Sequence, residues 1–308
     1  MAGGMLKWAP SPDRSADAHG RELRVKRMTD NHPTGLSVIV PAYNEAATLA
    51  TVVQKLLTLP HLLEIIIVDD CSSDRTLQIA ESLSEMNSNV RVTRHKKNSG
   101  KTEALKTGIA MTRGDVVIVQ DADFEYDPAE IPAVIKPIVE GYADVVYGSR
   151  FLVRKATRVL YFYHYLANKV LTFSSNMLTN LNMTDVETGY KAFRGEIIRN
   201  MIIKSSGFGF EVEVTAKVAK LGCAIYEVPI SYYGRTYEEG KKIGVIDGLQ
   251  AFWLVFRFNI FAGLKSSFRQ VPQINRARTT TRNDSDRNSF DDPARKNLEF
   301  NVANDRAH

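Results

Sequence analysis

The chain has 308 residues, 44% of them apolar and 24% charged, enough to bury one large core or two small ones. Its two cysteines, Cys71 and Cys223, stand far apart, which argues against a disulfide framework or a cysteine zinc site and makes a reducing cytoplasm the expected setting. The formal net charge of +5 permits contact with phosphates or an anionic membrane surface, and it does not demand nucleic acid, which is not an expected partner.

Residues 1–34 mix Arg, Lys, Asp, Ser, Pro and Gly without an apolar run. They read as a disordered tail with no signal peptide. The body is expected over 35–264. It opens with a short apolar strand at 36–40, followed by Leu49, Val52, Val53, Leu56 and Leu57 at helical spacing. A second strand is expected at 64–69. Asp74 is placed to cap a helix carrying Leu77, Ile79, Ala80 and Leu83. A strand at 90–93, a helix at 104–110, a strand at 115–119, a helix entered through Pro128 and a strand at 143–147 complete the alternation. Repeated strand–helix units predict an α/β fold with a mostly parallel sheet, its ligand beyond the carboxyl ends of the strands.

The second half is less regular. A long amphipathic helix is expected from Tyr163 to Leu178 and another over 210–221, with one or two strands at 224–233 interrupted by Pro229. The last helix starts at Gly244. The apolar stretch 249–264 contains Arg257 and Asn259 and is short of the ~20 residues that span a bilayer. It reads as a helix packed on the domain or lying at a membrane surface. Residues 265–308 are polar and expected to be a disordered tail.

The strand ends carry the chemistry. Asp121-Ala122-Asp123 follows a buried strand, with Glu125 two places on. Spaced carboxylates there can hold Mg²⁺ or Mn²⁺ and, through it, a diphosphate, which points to a nucleotide-activated donor. Pro41-Ala42-Tyr43-Asn44-Glu45 offers Tyr43 for stacking on a base and Glu45 for hydrogen bonds; the alternative is a turn capped by Asn44. In 69–74 one acid caps the next helix and another is free to bind ribose or base. The segment 98–102 resembles a phosphate loop but has His95 where GxxxxGK[ST] requires Gly, so a P-loop ATPase is rejected. Arg150 after the fifth strand can pair with a phosphate or lie solvated at the surface. The loop 232–244, rich in Gly, Arg and Lys, can close over a diphosphate or remain a solvated basic loop.

In order and spacing these segments resemble a family 2 glycosyltransferase of the GT-A fold, in the branch of dolichyl-phosphate mannose and glucose synthases. The resemblance runs over about 36–260. It rests on PAYNE at 41–45, DDCSSD at 69–74, NSGKTEAL at 98–105, RGD at 113–115, DADFE at 121–125, GSR at 148–150, ETGYKAF at 187–193 and the loop RTYEEGKKIG. It implies nucleotide contacts by Pro41, Tyr43, Glu45, Val68 and Asp70. It also implies metal and diphosphate held around Asp121, Ala122, Asp123 and Glu125, with Arg150, Arg235 and Lys242 or Lys241 as cations on the donor. Glu125 replaces the family's usual Gln, and Thr102 a frequent second Gly. The acceptor-phosphate region after GSR is altered, leaving Arg158 and His164 as loose candidates.

The resemblance further implies an inverting single displacement from a GDP- or UDP-hexose to polyprenyl phosphate, with metal and Arg235 stabilising the leaving charge. Asp123 and Arg235 are the catalytic candidates. An ionised lipid phosphate needs no general base; a sugar or small soluble hydroxyl acceptor does, and Glu211 and Glu213 are then the candidates, at least one of them being a packed helix residue instead. The aromatic and basic segment 151–168 suits either a membrane headgroup boundary or a core helix with a charged face. The expected location is cytoplasmic, peripheral to the membrane and without a transmembrane helix. The remaining rival is a degenerate nucleotide-sugar-binding module.

Overall fold

The computed structural model describes residues 35–152, 161–207, 209–234 and 245–274. Its first half alternates strictly: β1 (Leu36–Ala42), α1 (Leu49–Leu56), β2 (Leu62–Asp69), α2 (Thr76–Met86), β3 (Val90–Arg94), α3 (Lys101–Met111) and β4 (Val116–Val119). A 3-10 turn (Pro128–Glu130) leads into α4 (Ile131–Val139) and β5 (Val145–Ser149). Then come α5 (Phe162–Thr179), β6 (Lys191–Arg194), α6 (Gly195–Asn200), α7 (Phe210–Leu221) and β7 (Ile225–Pro229). The last elements are α8 (Val245–Phe256), a π turn (Arg257–Phe261) and α9 (Leu264–Ser267).

The seven strands lie in the order β3-β2-β1-β4-β6-β5-β7. All pairs are parallel except those of β6, which runs antiparallel to β4 and β5. Because β1 lies between β2 and β4, the chain reverses its direction of growth there. That reversal opens a crevice beyond the carboxyl ends of these strands.

Helices cover both faces, which is why the strands read as unbroken apolar runs. Alternation sends Val38 and Val40 to the face under α1 and α4, with Ile65, Ile67, Ile118 and Val134. Ile39 goes to the opposite face with Leu105, Val117, Phe193 and Val214. Each such buried aliphatic contributes about 1.5–3 kcal/mol. Gly108 lets α3 approach the sheet: a Cβ there would stand 2.4 Å from Ile39 Cγ2.

Three sequence expectations change. Residues 191–194 form a strand that the alternation did not announce, since it is only four residues long and begins with a fully buried Lys191. Pro229 ends β7 instead of interrupting it. Packing also continues past Leu264, beyond the boundary read from composition: Ser267 and Phe268 are buried, and Arg269 N–H donates to Asn200 O at 2.8 Å. One large apolar residue anchors a segment whose average composition is polar. Among the described residues no helix is long and apolar enough to cross a membrane.

Candidate active site

The loops after β1 and β2 are laced together. Asn44 takes a left-handed φ of 56°. Its Oδ1 accepts from Ser73 N–H at 2.9 Å, and its own N–H donates to Ser72 Oγ at 3.0 Å. Glu45 N–H donates to Thr76 Oγ1 at 2.8 Å and Ala46 N–H to Asp74 Oδ2 at 3.2 Å. Asn44 is therefore a brace between loops and not the cap of α1, whose N-cap is Thr48. Asp74 does accept the Thr76 N–H at the start of α2, at 2.9 Å. Tyr43 stands half-exposed on the rim, and Pro41 pairs in register with Val68.

The acids at the end of β2 have separate tasks. Asp69 is fully buried; its Oδ2 lies 3.3 Å from Arg94 Nε, while Oδ1 has no hydrogen-bond partner. Asp70 accepts from Ser99 N–H at 3.0 Å and Gly100 N–H at 2.7 Å, with His95 Nδ1 also at 2.7 Å. It thereby fixes the start of α3. The Val68 side chain packs with Ile66 and Ala104 in the core, so only its backbone is placed to meet a ligand.

Beyond β4, Gln120 is buried and Tyr190 donates to its Oε1 at 2.7 Å, which holds the following turn. Asp121 lies in that turn with Lys101 Nζ 2.7 Å from its Oδ1. Ala122 is buried, and Asp123 accepts the Glu125 N–H at 3.0 Å. Glu125 Oε2 accepts from Tyr232 O–H at 3.0 Å. Among the described residues no group of three or more His, Cys, Asp or Glu is close enough to hold a metal ion. Asp121 and Asp123 still fit Mg²⁺ or Mn²⁺ chemically: these ions take hard oxygen donors and need only one or two carboxylates when diphosphate oxygens supply the rest.

Lys101 links this turn to α7. Its Nζ is 3.9 Å from Glu211 Oε1. Burial alone would lower the Lys101 pKa, but Asp121 and Glu211 outweigh it and hold the ammonium above its ordinary value. Glu213, two residues on, is a packing residue. It accepts from Lys204 N–H at 2.8 Å and Ser205 N–H at 2.6 Å, and it pairs with Lys217. Of the two base candidates, only Glu211 faces the site.

Arg150 has a different partner from the expected phosphate. Its guanidinium grips buried Asp185 with Nε and Nη2, both at 2.7 Å, and lies 5.1 Å from the Tyr232 ring centroid. Arg235, Lys241, Lys242 and Arg158 lie outside the described residues. His164 sits in the first turn of α5 with its ring 5.7 Å from that of Tyr161.

The segment before β6 completes the site, and its residues had been noted only within a resemblance. A Cβ on Gly189 would lie 3.0 Å from Asp121 Oδ2, so the backbone passes directly against the acidic turn. Glu187 has a buried Oε1 without a hydrogen-bond partner. Burial, and then the charge of Glu211, push its pKa up to about 7. Buried Lys191 donates to Val186 O at 2.9 Å and to Thr188 O. Burial lowers its pKa to about 8 against the pull of Glu211 and Glu187. The usable sequence signal was the spacing of Asp185, Glu187 and Lys191, charged residues entering a strand.

The arrangement offers two carboxylates, a cation between them and α7, and an open crevice at the strand ends. Comparisons with known proteins identify the family and the fold. Residues 37–202 match the family model described as Glycosyl transferase family 2. An undecaprenyl-phosphate mannosyltransferase of Micrococcus luteus is 30% identical over 225 residues, 68% of this chain and 88% of that protein. The glycosyltransferase AglJ of Haloferax volcanii is 28% identical over 207 residues, 66% of this chain and 64% of that protein. Glucosyl-3-phosphoglycerate synthase of Mycobacterium tuberculosis, solved with Mn²⁺, UDP-glucose and phosphoglyceric acid, superposes with a TM-score of 0.57 at 20% identity, covering 76% of this chain and 82% of that one. The shared architecture is the GT-A fold.

Proposed function

We propose that this chain, which belongs to glycosyl transferase family 2, moves a hexose from a nucleoside-diphosphate sugar to a polyprenyl phosphate at the cytoplasmic face of a membrane. The observation that supports the donor half is the pairing of Lys101 with Asp121 in the turn after β4 that also carries Asp123. The acceptor half is supported by the relative named as acting on undecaprenyl phosphate.

In this reading Tyr43 and Glu45 border the nucleoside, while Asp121 and Asp123 hold Mg²⁺ or Mn²⁺. The bound cation would neutralise the diphosphate as charge develops on it. The acceptor phosphate oxygen attacks the anomeric carbon as the bond to the diphosphate oxygen breaks, inverting that centre. Lys101, and in the loop outside the described residues Arg235 with Lys242 or Lys241, face the departing charge. Glu125 supports the turn through Tyr232, and Arg150 holds Asp185 in the segment that passes Asp121.

One observation favours a second reading, transfer to a hydroxyl. Glu211 is aimed into the site beside Lys101 and is available to take a proton. The test is a thermal-shift series with GDP- and UDP-hexoses and Mn²⁺ or Mg²⁺, joined to transfer of labelled sugar into an organic-extractable polyprenyl phosphate. Asp123→Ala is expected to abolish the metal-dependent shift. Label entering only water-soluble saccharide would replace the lipid acceptor by the hydroxyl one.

A further inference from the structure

Helices α5 and α8 lie side by side, and Leu171, Val186, Val212, Ala251 and Val255 form a small core beneath them. Their outer faces are also apolar. Phe162, Leu166, Phe173 and Met177 are 67%, 46%, 64% and 69% exposed, at spacings that place them in one stripe along α5. Trp253 and Phe261, on α8 and the π turn, are 60% and 74% exposed. A helix that is apolar all round is normally covered on every side. At ~1.5 Å per residue α5 presents a strip about 25 Å long, and a contiguous exposed apolar surface rimmed by polar residues marks an interaction site.

The charges around this strip are mostly positive. Residues 161–180 and 245–270 carry Lys169, Arg257, Lys265 and Arg269 against one acid, Asp247, near the start of α8. The inner edge of α5 adjoins the site: Asn168 donates to Asp185 at 3.3 Å and Lys169 to Thr184 O at 3.2 Å. The strip therefore borders the segment carrying Glu187 and Gly189.

We infer that the outer faces of α5, α8 and the π turn dock on an anionic membrane surface, delivering a lipid acceptor to the crevice. This rests on the polyprenyl phosphate reading above. Aromatic and aliphatic side chains enter the boundary between headgroups and acyl chains, and Arg257, Lys265 and Arg269 meet lipid phosphates. A second copy of the chain suits the strip less well. A two-fold interface would bring together two surfaces in which Arg257, Lys265 and Arg269 outnumber the one acid, Asp247.

The experiment uses the full chain with phosphatidylcholine vesicles, with and without phosphatidylglycerol. On a Trp8→Phe background, the emission of Trp253 is expected to shift to the blue with the anionic vesicles alone, and salt is expected to reverse the shift. Flotation should fall ~10-fold or more in Trp253→Ser/Phe261→Ser. That variant should keep its melting temperature and its transfer to a short-chain, water-soluble polyprenyl phosphate. Transfer to lipid by a chain that neither floats nor shifts its emission overturns the docking surface and leaves the acceptor reading standing. Docking without transfer to any polyprenyl phosphate overturns the acceptor reading and leaves the surface. A dimer in light scattering that the double variant loses, with no vesicle binding, assigns the strip to a second copy and overturns the inference.

Discussion

Replacing Asp185 by Asn perturbs the pair that holds the segment in front of Asp121. Asp185 is fully buried and accepts from Arg150 Nε and Nη2 at 2.7 Å, from Arg150 N–H at 3.2 Å and from Asn168 Nδ2 at 3.3 Å. Asparagine keeps one acceptor oxygen but turns an NH₂ toward N–H donors, and the guanidinium stays charged without its hydrogen-bonded carboxylate. Losing one partner of a buried pair costs about 3–5 kcal/mol. The contact of Arg150 with Tyr232 is kept in both proteins and cancels from the difference. A loss near 3 kcal/mol lowers the melting temperature by roughly 6–12 °C in a domain of this size. Calorimetry of both proteins at matched pH reads it. The pH dependence has a sign as well. Burial raises the Asp185 pKa, but Arg150 outweighs it and the net shift is downward from 3.8. The pair's contribution is therefore complete above the unfolded pKa and is lost as pH falls through the depressed folded value. The gap between the two proteins should close in acid. Melting temperatures within about 1 °C at pH 7 would refute the reasoning, as would a gap that widens on acidification.

Glu211→Gln and Glu213→Gln should behave oppositely. The second loses charge-assisted bonds to Lys204, Ser205 and Lys217 and should destabilise by about 2 kcal/mol or more in urea titration. The first should fold normally and keep transfer to lipid phosphate, while any transfer to a hydroxyl falls by ~10²-fold or more. Glu187→Gln should change the pH profile of stability. A carboxyl whose pKa is raised from 4.5 to about 7 contributes fully below 4.5 and loses that contribution as pH rises through 7. The variant should therefore gain on the wild type by roughly 3 kcal/mol between pH 4.5 and 8; a difference independent of pH would sink the assignment. Gly189→Ala places a Cβ 3.0 Å from Asp121 Oδ2 and 3.2 Å from Tyr126 Cε2. It should weaken the Mn²⁺-dependent thermal shift with donor while the unliganded melting temperature changes little; an undiminished shift would separate this backbone from the site.

The parallel part of the sheet was legible because its strands are buried on both faces and its helices carry periodic stripes. Strand β6 was not, since Lys191 opens it and its burial depends on carbonyls supplied by the preceding turn. The acidic turn after β4 could be read from Asp121 and Asp123 alone, because strand ends in such folds face the ligand. What their side chains do could not. The hydrogen bond to Glu125 comes from Tyr232, more than a hundred residues on. Likewise Arg150 looked free in sequence, and only the fold shows Asp185 beneath it. Glu211 and Glu213 lie in the same helix, and their roles diverge because the segment at Lys204 and Ser205 closes over just one of them.

The N–H groups of Ser99 and Gly100 converge on the Asp70 carboxylate. A helix start of this kind is the usual cradle for a phosphate, since its amides and dipole both attract anions. Here that attraction is already answered from within the chain. On the proposed reading a pyrophosphate would meet an electropositive turn already occupied by Asp70, and its charge would have to be balanced elsewhere; free phosphate is then expected to compete poorly.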